Sequence, residues 1–275
     1  MNVAFVHSGN DSMASYRYRT QIPAEQLTQR GEFNVTINEG EADVVVFSKP
    51  VQTDVGLAEQ CKKDGTKIIV DICDDHFDHP VYGAVYRDII KLSDTVVCPT
   101  DYFRKVIFQK TGKNAAIIPD PYEMERMKPH ANGDNVLWYG HQVNIPEITP
   151  YVGKIDNLSV CTGHNNTLVG YIPWSPESQK AELAYNDIVI LPNKNESKSS
   201  NRLINAVMAG CFVCANKTMA RHEFREFMWI GDIYTGLKWS RAFQSDLNSL
   251  ISECQDYIER HYSPKLIGDL WGEVV

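Results

Sequence analysis

The sequence predicts an α/β protein built from two Rossmann-like domains. Short apolar runs without alternation recur along the chain, which is typical of strands buried on both faces of a parallel sheet. Stretches with helical spacing separate most of these runs, and the alternation resumes after a polar, non-periodic segment at residues 123–134. This pattern, interrupted once by a linker, favours two helix-covered parallel sheets.

The first half begins with an apolar run at residues 3–6, followed by the polar turn His7-Ser8-Gly9, and a helix is predicted over residues 16–30. The other strands predicted in this half are 44–47, 67–71, 95–98 and 115–118, and the other helices are 54–62, 82–92 and 102–110. Ligands of parallel sheets bind beyond the carboxyl ends of the strands, so a site is expected there.

The second half repeats the alternation. Its predicted strands are 135–139, 158–161, 167–171, 188–191 and 212–215, and its predicted helices are 177–184, one starting after residue 200, 221–227 and 239–260. Residues 266–275 are predicted to form a helix that crosses back onto the first half. The predicted domains are therefore 1–128 and 129–262, with 263–275 as the returning segment.

Composition limits the possible function classes. The chain has 275 residues, of which 43% are hydrophobic and 23% charged, as in soluble globular proteins. Its net charge of -8 disfavours general nucleic-acid binding, because a phosphate backbone requires a basic surface. No run approaches the roughly 20 apolar residues of a membrane span, and the N-terminus lacks the features of a signal peptide. Seven scattered cysteines indicate reduced thiols, so we expect a cytoplasmic protein.

The strand, loop and helix over residues 187–215 carry the main anion-binding prediction. The apolar run 188–191 ends at Pro192, and the serines that follow are suitable N-cap residues for the next helix. A helix N-terminus presents unpaired N–H groups and the positive end of its dipole. No Walker-type glycine loop is present, which disfavours a P-loop ATPase.

Charged and polar side chains at this helix start strengthen that prediction. Lys198 and Arg202 are four residues apart and Asn205 follows three later, so the three can share one helix face. Together with Ser199 and Ser200 they suit a phosphate or diphosphate. The alternative is a solvated helix start with an ordinary cap.

Two further clusters lie at the strand ends of the first half. The stretch 71–79 (DICDDHFDH) places four carboxylates and two imidazoles together, which suits a metal, sugar hydroxyls or proton transfer. The alternative interpretation is that most of these residues cap the following helix and face solvent. Arg17 and Arg19 follow the first strand and either hold a phosphate or carboxylate or form a solvent-facing turn.

Four segments, taken in order, resemble the glycosyltransferases of the GT-B fold, in particular the large retaining family 4. These segments are 117–123 (IIPDPYE), 136–140 (VLWYG), 184–192 (AYNDIVILP) and 203–215 (LINAVMAGCFVCA). The resemblance implies two Rossmann-like domains facing across a cleft and a nucleotide-diphosphate sugar as the donor. It also implies retention at the anomeric carbon and catalysis without a metal or other cofactor.

Two positions depart from the family pattern in a way that concerns the donor. The family carries two glutamates separated by seven residues at this helix start, where this chain has Ser197 and Asn205, with Glu196 one place off. Related short transferases with Lys-Ser-x-Asn-Arg at this place resemble the chain better. An asparagine can still hydrogen-bond ribose hydroxyls.

The resemblance implies a role for each candidate residue. For catalysis these are Lys198, Arg202, Asp75 and His76; for the donor they are Gly140, His141, Trp174, Ser199, Ser200 and Asn205; for the acceptor they are Arg17, Arg19 and Asp74. Within the donor set, Asn205 would hold the ribose and Trp174 would lie near the nucleobase. The acceptor is expected to be a carbohydrate or glycan.

Three rival functions belong to other classes. A nucleotide-sugar-binding protein would retain affinity without turnover, and a nucleotide-sugar epimerase of the same architecture would act without an acceptor. A DNA-modifying sugar transferase also shares the architecture, although the acidic balance of the chain disfavours it.

Overall fold

The computed structural model describes residues 1–163 and 168–275, which form two α/β units. Unit 1 comprises Met1–Pro121, Glu196–Ser199 and Tyr262–Val275, and unit 2 comprises Tyr122–Asn195 and Ser200–His261. The boundary predicted after residue 128 therefore lies within unit 2. The grouping of Glu196–Ser199 with unit 1 was not predicted.

Each unit contains a parallel sheet, which confirms the predicted fold class. The strands are β1 (Asn2–Val6), β2 (Asn34–Ile37), β3 (Val44–Ser48), β4 (Lys67–Asp71), β5 (Thr95–Cys98), β6 (Ala115–Ile117), β7 (Val136–Gly140), β8 (Leu158–Thr162), β9 (Tyr171–Pro173), β10 (Ile188–Leu191), β11 (Phe212–Ala215) and β12 (Trp229–Ile230). Sheet 1 has the order β2-β1-β3-β4-β5-β6, and sheet 2 has the order β12-β11-β10-β7-β8-β9.

Helices connect most of the strands. They are α1 (Ala14–Tyr16), α2 (Ile22–Gln29), α3 (Gln52–Asp64), α4 (Tyr82–Leu92), α5 (Asp101–Thr111), α6 (Ile145–Ile148), α7 (Pro176–Tyr185), α8 (Asn201–Met208), α9 (Ile233–Ala242), α10 (Gln244–Tyr262) and α11 (Pro264–Val274). A π-helical turn, Arg17–Gln21, joins α1 to α2, so the helix predicted over residues 16–30 is not a uniform α-helix. No helix in the described part of the chain has the length and apolar character needed to span a membrane.

Sheet 1 is buried between two apolar layers. One face packs against α3, α4 and α5, and the other packs against α2 and α11. On the second face Trp271 is fully buried, and its ring meets the Phe5 ring edge-on at a centroid distance of 5.5 Å. The C-terminal segment is therefore part of the core of unit 1, because it covers apolar sheet surface that α2 leaves open.

One glycine explains part of the 203–215 motif. Gly210 follows α8 with φ +90°, a conformation that favours glycine, and a Cβ there would lie 2.6 Å from the carbonyl oxygen of Lys128. The turn from α8 into β11 thus excludes any side chain at this position.

Two strands were missed because they carry little apolar sequence. The edge strand β2 has exposed Asn34 and half-buried residues after it, and the edge strand β12 is only two residues long. Short edge strands lack the continuous apolar run that identified the buried strands.

Three other predictions in the second half were wrong. The helix predicted over residues 239–260 is divided into α9 and α10 at Phe243, and Asp232 caps α9 by accepting a hydrogen bond from Thr235 N at 2.9 Å. The helix predicted at residues 221–227 is a 3₁₀ segment, Met219–Phe224. The strand predicted at 167–171 is observed as β9 at Tyr171–Pro173, so its C-terminal end lies two residues later than predicted. Thr167 lies outside the described residues.

We expect Trp271→Ala to destabilise unit 1 by about 3–5 kcal/mol, because it leaves a cavity between α11 and the sheet. Urea unfolding followed by circular dichroism would measure the loss. Trp271→Phe should cost less, and Glu273→Ala, on the exposed side of α11, should have almost no effect. Equal stability of Trp271→Ala and the wild type would show that α11 does not contribute to the core.

Candidate functional site

A buried ion cluster lies at the carboxyl end of sheet 1. Arg19 donates to both carboxylate oxygens of Asp71, from Nε at 3.0 Å and from Nη2 at 2.6 Å. Its Nη1 donates to the carbonyl oxygen of Ile118 at 2.6 Å and to Asp120 at 3.3 Å. Ser48 also donates to Asp71, at 3.0 Å. Although burial alone would lower it, the pKa of Arg19 is raised by its pairing with Asp71 and Asp120.

The surroundings of Arg19 exclude the solvent-facing alternative and show that it holds protein carboxylates. Arg19 is 1% exposed and therefore does not lie in a solvent-facing turn. Its N–H groups donate to oxygen atoms of the protein, so the structure does not present Arg19 to a phosphate or to a sugar acceptor. Its neighbour Arg17 donates to the carbonyl oxygen of Asp11 at 2.7 Å and lies over the Tyr18 ring at 5.7 Å.

The ion cluster extends to the segment that precedes α8. Ser199 Oγ donates to the second carboxylate oxygen of Asp120 at 2.5 Å. Segment 196–199 belongs to unit 1 by its contacts, although it follows β10 of unit 2 in sequence. Asp120 therefore connects two segments. One carboxylate oxygen accepts a hydrogen bond from Arg19, and the other accepts one from Ser199 and so fixes the backbone next to Lys198.

Lys198 forms an ion pair within unit 1. Its ammonium contacts Asp74, and Lys49 contacts the other carboxylate oxygen of Asp74 at 2.9 Å. Asp74 is 14% exposed, whereas Lys198 is 45% exposed. Burial would raise the pKa of Asp74, but the two ammonium groups hold it well below its usual range. The carboxylate is thus ionised at ordinary pH and neutralises much of the charge of Lys198.

The other acidic and imidazole groups of the 71–79 stretch have separate surroundings. Asp75 is exposed and accepts a long hydrogen bond from Phe77 N, at 3.4 Å. His76 Nε2 lies 3.9 Å from Asp74, and burial lowers the pKa of His76. Asp78 pairs with Lys110 at the surface at 2.8 Å. Among residues 1–163 and 168–275, no group of three or more His, Cys, Asp and Glu residues is arranged to hold a metal ion.

His7 is a polar group that the sequence did not single out as functional. It follows β1, is 3% exposed, and accepts a hydrogen bond from Gly9 N at Nδ1, at 2.8 Å. That bond requires Nδ1 to be unprotonated, so neutral His7 carries its hydrogen on Nε2. Nε2 has no hydrogen-bond partner among the described residues. Burial, followed by the charge of Lys49, lowers the pKa of His7 to about 4.

In unit 2, Arg202 lies near the end of β7. Its Nη1 donates to the carbonyl oxygen of Tyr139 at 3.2 Å, and Tyr139 OH donates to the carbonyl oxygen of Arg202 at 2.6 Å. Glu147 lies 3.9 Å from Nη2. A Cβ on Gly140 would lie 2.8 Å from Arg202 Nη1, so glycine leaves room for the guanidinium. Burial lowers the pKa of Arg202, while Glu147 opposes that shift.

The remaining donor candidates of unit 2 are held by local contacts. His141 is exposed and accepts from Val143 N at 3.3 Å, and Trp174 Nε1 donates to Gln179 at 2.8 Å. Ser200 Oγ donates to the carbonyl oxygen of Ala220 at 2.7 Å and does not cap α8 through its side chain. Their predicted roles in donor binding stay predictions.

Asn205 does not have the surroundings of a ribose ligand. It is 1% exposed, and its Oδ1 accepts from the backbone N–H groups of Glu123 and Met124, both at 3.0 Å. Its Nδ2 donates to the carbonyl oxygen of Asn201 at 2.9 Å. The predicted ribose contact is therefore not supported, because the amide holds the start of the predicted linker.

Sequence reasoning also missed the role of Arg221. This arginine is 3% exposed and donates to the carbonyl oxygens of Leu191, Asn193 and Asn216 at 3.0–3.1 Å, and to the Asn193 side chain. It fixes the polar turn after β10, which leads into segment 196–199. Its sequence context, MARHEF, resembles a surface helix and gave no signal of this role.

Comparison with solved structures identifies proteins of the same fold. HepE from Anabaena, solved in complex with UDP and glucose, superimposes with a TM-score of 0.74 over 100% of this chain and 99% of its own, at 10% identity. Sucrose-phosphate synthase from Thermosynechococcus elongatus gives a TM-score of 0.74 over 99% and 98% of the two chains, at 9% identity. WaaG, a glycosyltransferase involved in lipopolysaccharide biosynthesis, gives 0.64 over 98% and 99%, at 13% identity.

These similarities establish the fold and agree with the fold class predicted from the sequence. No protein-family model matches the sequence, and no curated protein matches it.

We expect His7→Asn to make the stability of the protein less sensitive to acid. The pKa of His7 is about 4 in the folded protein and roughly 6.5 in an unfolded chain. Between these values the unfolded state binds a proton that the folded state does not, so stability falls as the pH decreases. His7 should account for a loss of about 3 kcal/mol between pH 6.5 and pH 4.

Urea unfolding at pH 7.0, 5.5 and 4.5 would measure this effect. Asparagine does not titrate and retains an acceptor for Gly9 N–H. The exposed variant His261→Gln is the control and should follow the wild-type pH dependence. Parallel pH profiles of His7→Asn and the wild type would contradict a depressed pKa at His7.

Proposed function

We propose that this protein is a glycosyltransferase that moves a sugar from a nucleotide-diphosphate sugar to an acceptor. The observation that carries the proposal is the fold shared over the whole chain with HepE in complex with UDP and glucose. Sucrose-phosphate synthase and WaaG, which match over nearly their full lengths, point to the same class of reaction. The acceptor that we propose is a carbohydrate or glycan.

Lys198 is the cation that we assign to the donor diphosphate. Negative charge develops on the leaving phosphate as the glycosidic bond breaks, and a positioned cation stabilises that charge. Lys198 is half exposed and held in place by its pair with Asp74. Asp74 also pairs with Lys49, so its carboxylate keeps a cationic partner when a diphosphate binds the ammonium of Lys198. Arg202, whose guanidinium is directed by Tyr139 and Glu147 in unit 2, is the second phosphate ligand of the proposal.

Asp75 and His76 are assigned to the acceptor side of the reaction. The depressed pKa of His76 keeps its imidazole neutral at pH 7, so it is able to accept a proton. Asp75 is exposed next to it and available to a sugar hydroxyl. Retention at the anomeric carbon and independence of a metal are further parts of the proposal, and they rest on the family resemblance.

A cytoplasmic location completes the proposal. All seven cysteines are free, and six of them are buried. Free thiols in an apolar interior suit a reducing compartment.

The alternative with support from a specific observation is a nucleotide-sugar-binding protein without turnover. Asn205 stands where the family carries a glutamate, and its amide is occupied by the backbone of Glu123 and Met124. Thermal-shift measurements with UDP-, GDP-, ADP- and CMP-sugars would identify a donor, since a ligand of the native state raises the melting temperature. Product analysis with and without saccharide acceptors then separates transfer, hydrolysis, epimerisation and binding alone.

We expect Lys198→Ala and Arg202→Ala each to lower kcat by about 100-fold or more, because each removes charge from the leaving phosphate. Steady-state rates with the donor identified by the thermal-shift screen would measure this loss. Lys110→Ala is a matched control, since Lys110 also pairs with an aspartate of unit 1 and carries no assigned function. Rates of Lys198→Ala and Arg202→Ala within twofold of the wild type would contradict the assignment.

We also expect Ser199→Ala to reduce activity, because it removes the hydrogen bond to Asp120 that fixes the backbone beside Lys198. The loss should be smaller than that of Lys198→Ala, about tenfold in kcat/KM. Ser199→Thr retains a hydroxyl and should recover much of the activity. If Ser199→Ala and the wild type have the same kcat/KM, this hydrogen bond does not position Lys198.

A further inference from the structure

The connection between β2 and β3 is unusually short. These two strands lie on opposite sides of β1, so the chain must cross one face of the sheet to join them. Parallel strands usually need a connection of a dozen or more residues, most often a helix. Here the crossing uses only residues 38–43, and Ala42 packs against the same core layer as α3. A thin strap therefore takes the place of a helix at this edge of the sheet.

The missing helix leaves a cavity of about 760 Å³ on that face. Its volume lies in the range of roughly 300–1,000 Å³ that is typical of ligand sites. The floor is formed by Ala4 and Val6 of β1 and Val45 of β3, and the walls are the strap and α3. None of the residues that line it has been assigned to the donor or the acceptor.

The cavity combines an apolar interior with an acidic rim. Leu57 of α3 is 45% exposed at its edge, which is high for a large aliphatic side chain. Glu39, Glu41 and Asp64 provide carboxylates around the opening. Glu39 and Glu41 are exposed and make no ion pair with any other residue of the described chain.

Two nearby lysines pair with groups outside this rim. Lys62 pairs with Asp94 at 2.7 Å, and Lys67 donates to the carbonyl oxygen of Val274 and to Val275 at the C-terminus, both at 2.8 Å. The rim thus remains negative while the floor is apolar. A ligand that complements both features must be cationic and amphipathic.

We propose that this cavity, lined by residues 38–42 of the strap and by α3, is a docking groove for a basic amphipathic helix of a partner protein. The apolar side of that helix covers Val6, Ala42 and Leu57, as the absent crossover helix would otherwise do. Its lysines or arginines face Glu39, Glu41 and Asp64. A helix laid into a groove in this way is a recurrent mode of peptide recognition.

Fluorescence anisotropy with labelled model peptides tests the groove on the full-length protein. The probe is an 18-residue amphipathic peptide of leucine and lysine, compared with a leucine–glutamate peptide of the same pattern and a lysine–glutamine peptide without an apolar face. We expect saturable binding of the leucine–lysine peptide only. Absence of saturable binding by this peptide would overturn the proposal.

Variants locate the binding site. Glu39→Lys/Glu41→Lys should weaken binding by about tenfold or more, and Leu57→Ser should weaken it without any change of charge. Glu125→Lys/Glu226→Lys is the matched control, because it reverses two exposed carboxylates of unit 2 and produces the same net charge. This control is necessary because a protein of net charge -8 attracts any cationic peptide.

Two outcomes of the variant series are decisive. Loss of binding in the groove variants with retention in the control supports the groove, provided that their melting temperatures match the wild type. Equal loss in both charge-reversal variants, or unchanged binding in Leu57→Ser, would show nonspecific attraction and overturn the proposal. A photo-crosslinking leucine–lysine peptide gives an independent test, since its adducts should map to residues 38–66.

Discussion

The buried guanidinium of Arg19 is the interaction on which the carboxyl end of sheet 1 depends. Removing a charge from water has a large desolvation cost, which only close pairing offsets. Arg19 meets this condition with Asp71, Asp120 and the carbonyl oxygen of Ile118, so β4 and the segment after β6 are fixed to the π-helical turn Arg17–Gln21. An arginine with its planar fork makes these contacts simultaneously, whereas a lysine has a single donor centre.

This cluster determines where a more exposed cation can lie. Asp120 is held on one side by Arg19 and on the other accepts the hydrogen bond of Ser199. The residue before Ser199 is Lys198, whose ammonium lies on Asp74. A buried ion pair thus supports a partly exposed one. In the proposed function, this arrangement presents the ammonium of Lys198 to the donor diphosphate although the protein as a whole is acidic.

Buried strands were predictable from sequence, whereas the edge strands β2 and β12 were not. The run Ile188–Leu191 is apolar without interruption because both faces of sheet 2 are covered there, and this is the pattern that hydrophobicity detects. β2 and β12 lack that pattern. Charged side chains at strand ends were identified as a group. Their positions were not, because Arg19 is buried against Asp71 and Lys198 lies exposed beside Asp74. These contacts are long-range, and the local sequence does not encode them.

Asn205 shows why donor preference cannot be transferred from a motif. The amide oxygen of Asn205 accepts hydrogen bonds from two backbone N–H groups, and the amide nitrogen donates to a carbonyl oxygen within α8. A glutamate could accept the two backbone hydrogen bonds but could not donate the third, since an ionised carboxylate only accepts hydrogen bonds. The position is therefore specialised for anchoring the segment that contains Glu123 and Met124. Under the proposed function, the donor ribose is therefore assigned to a group other than Asn205, and several nucleotides have to be tested.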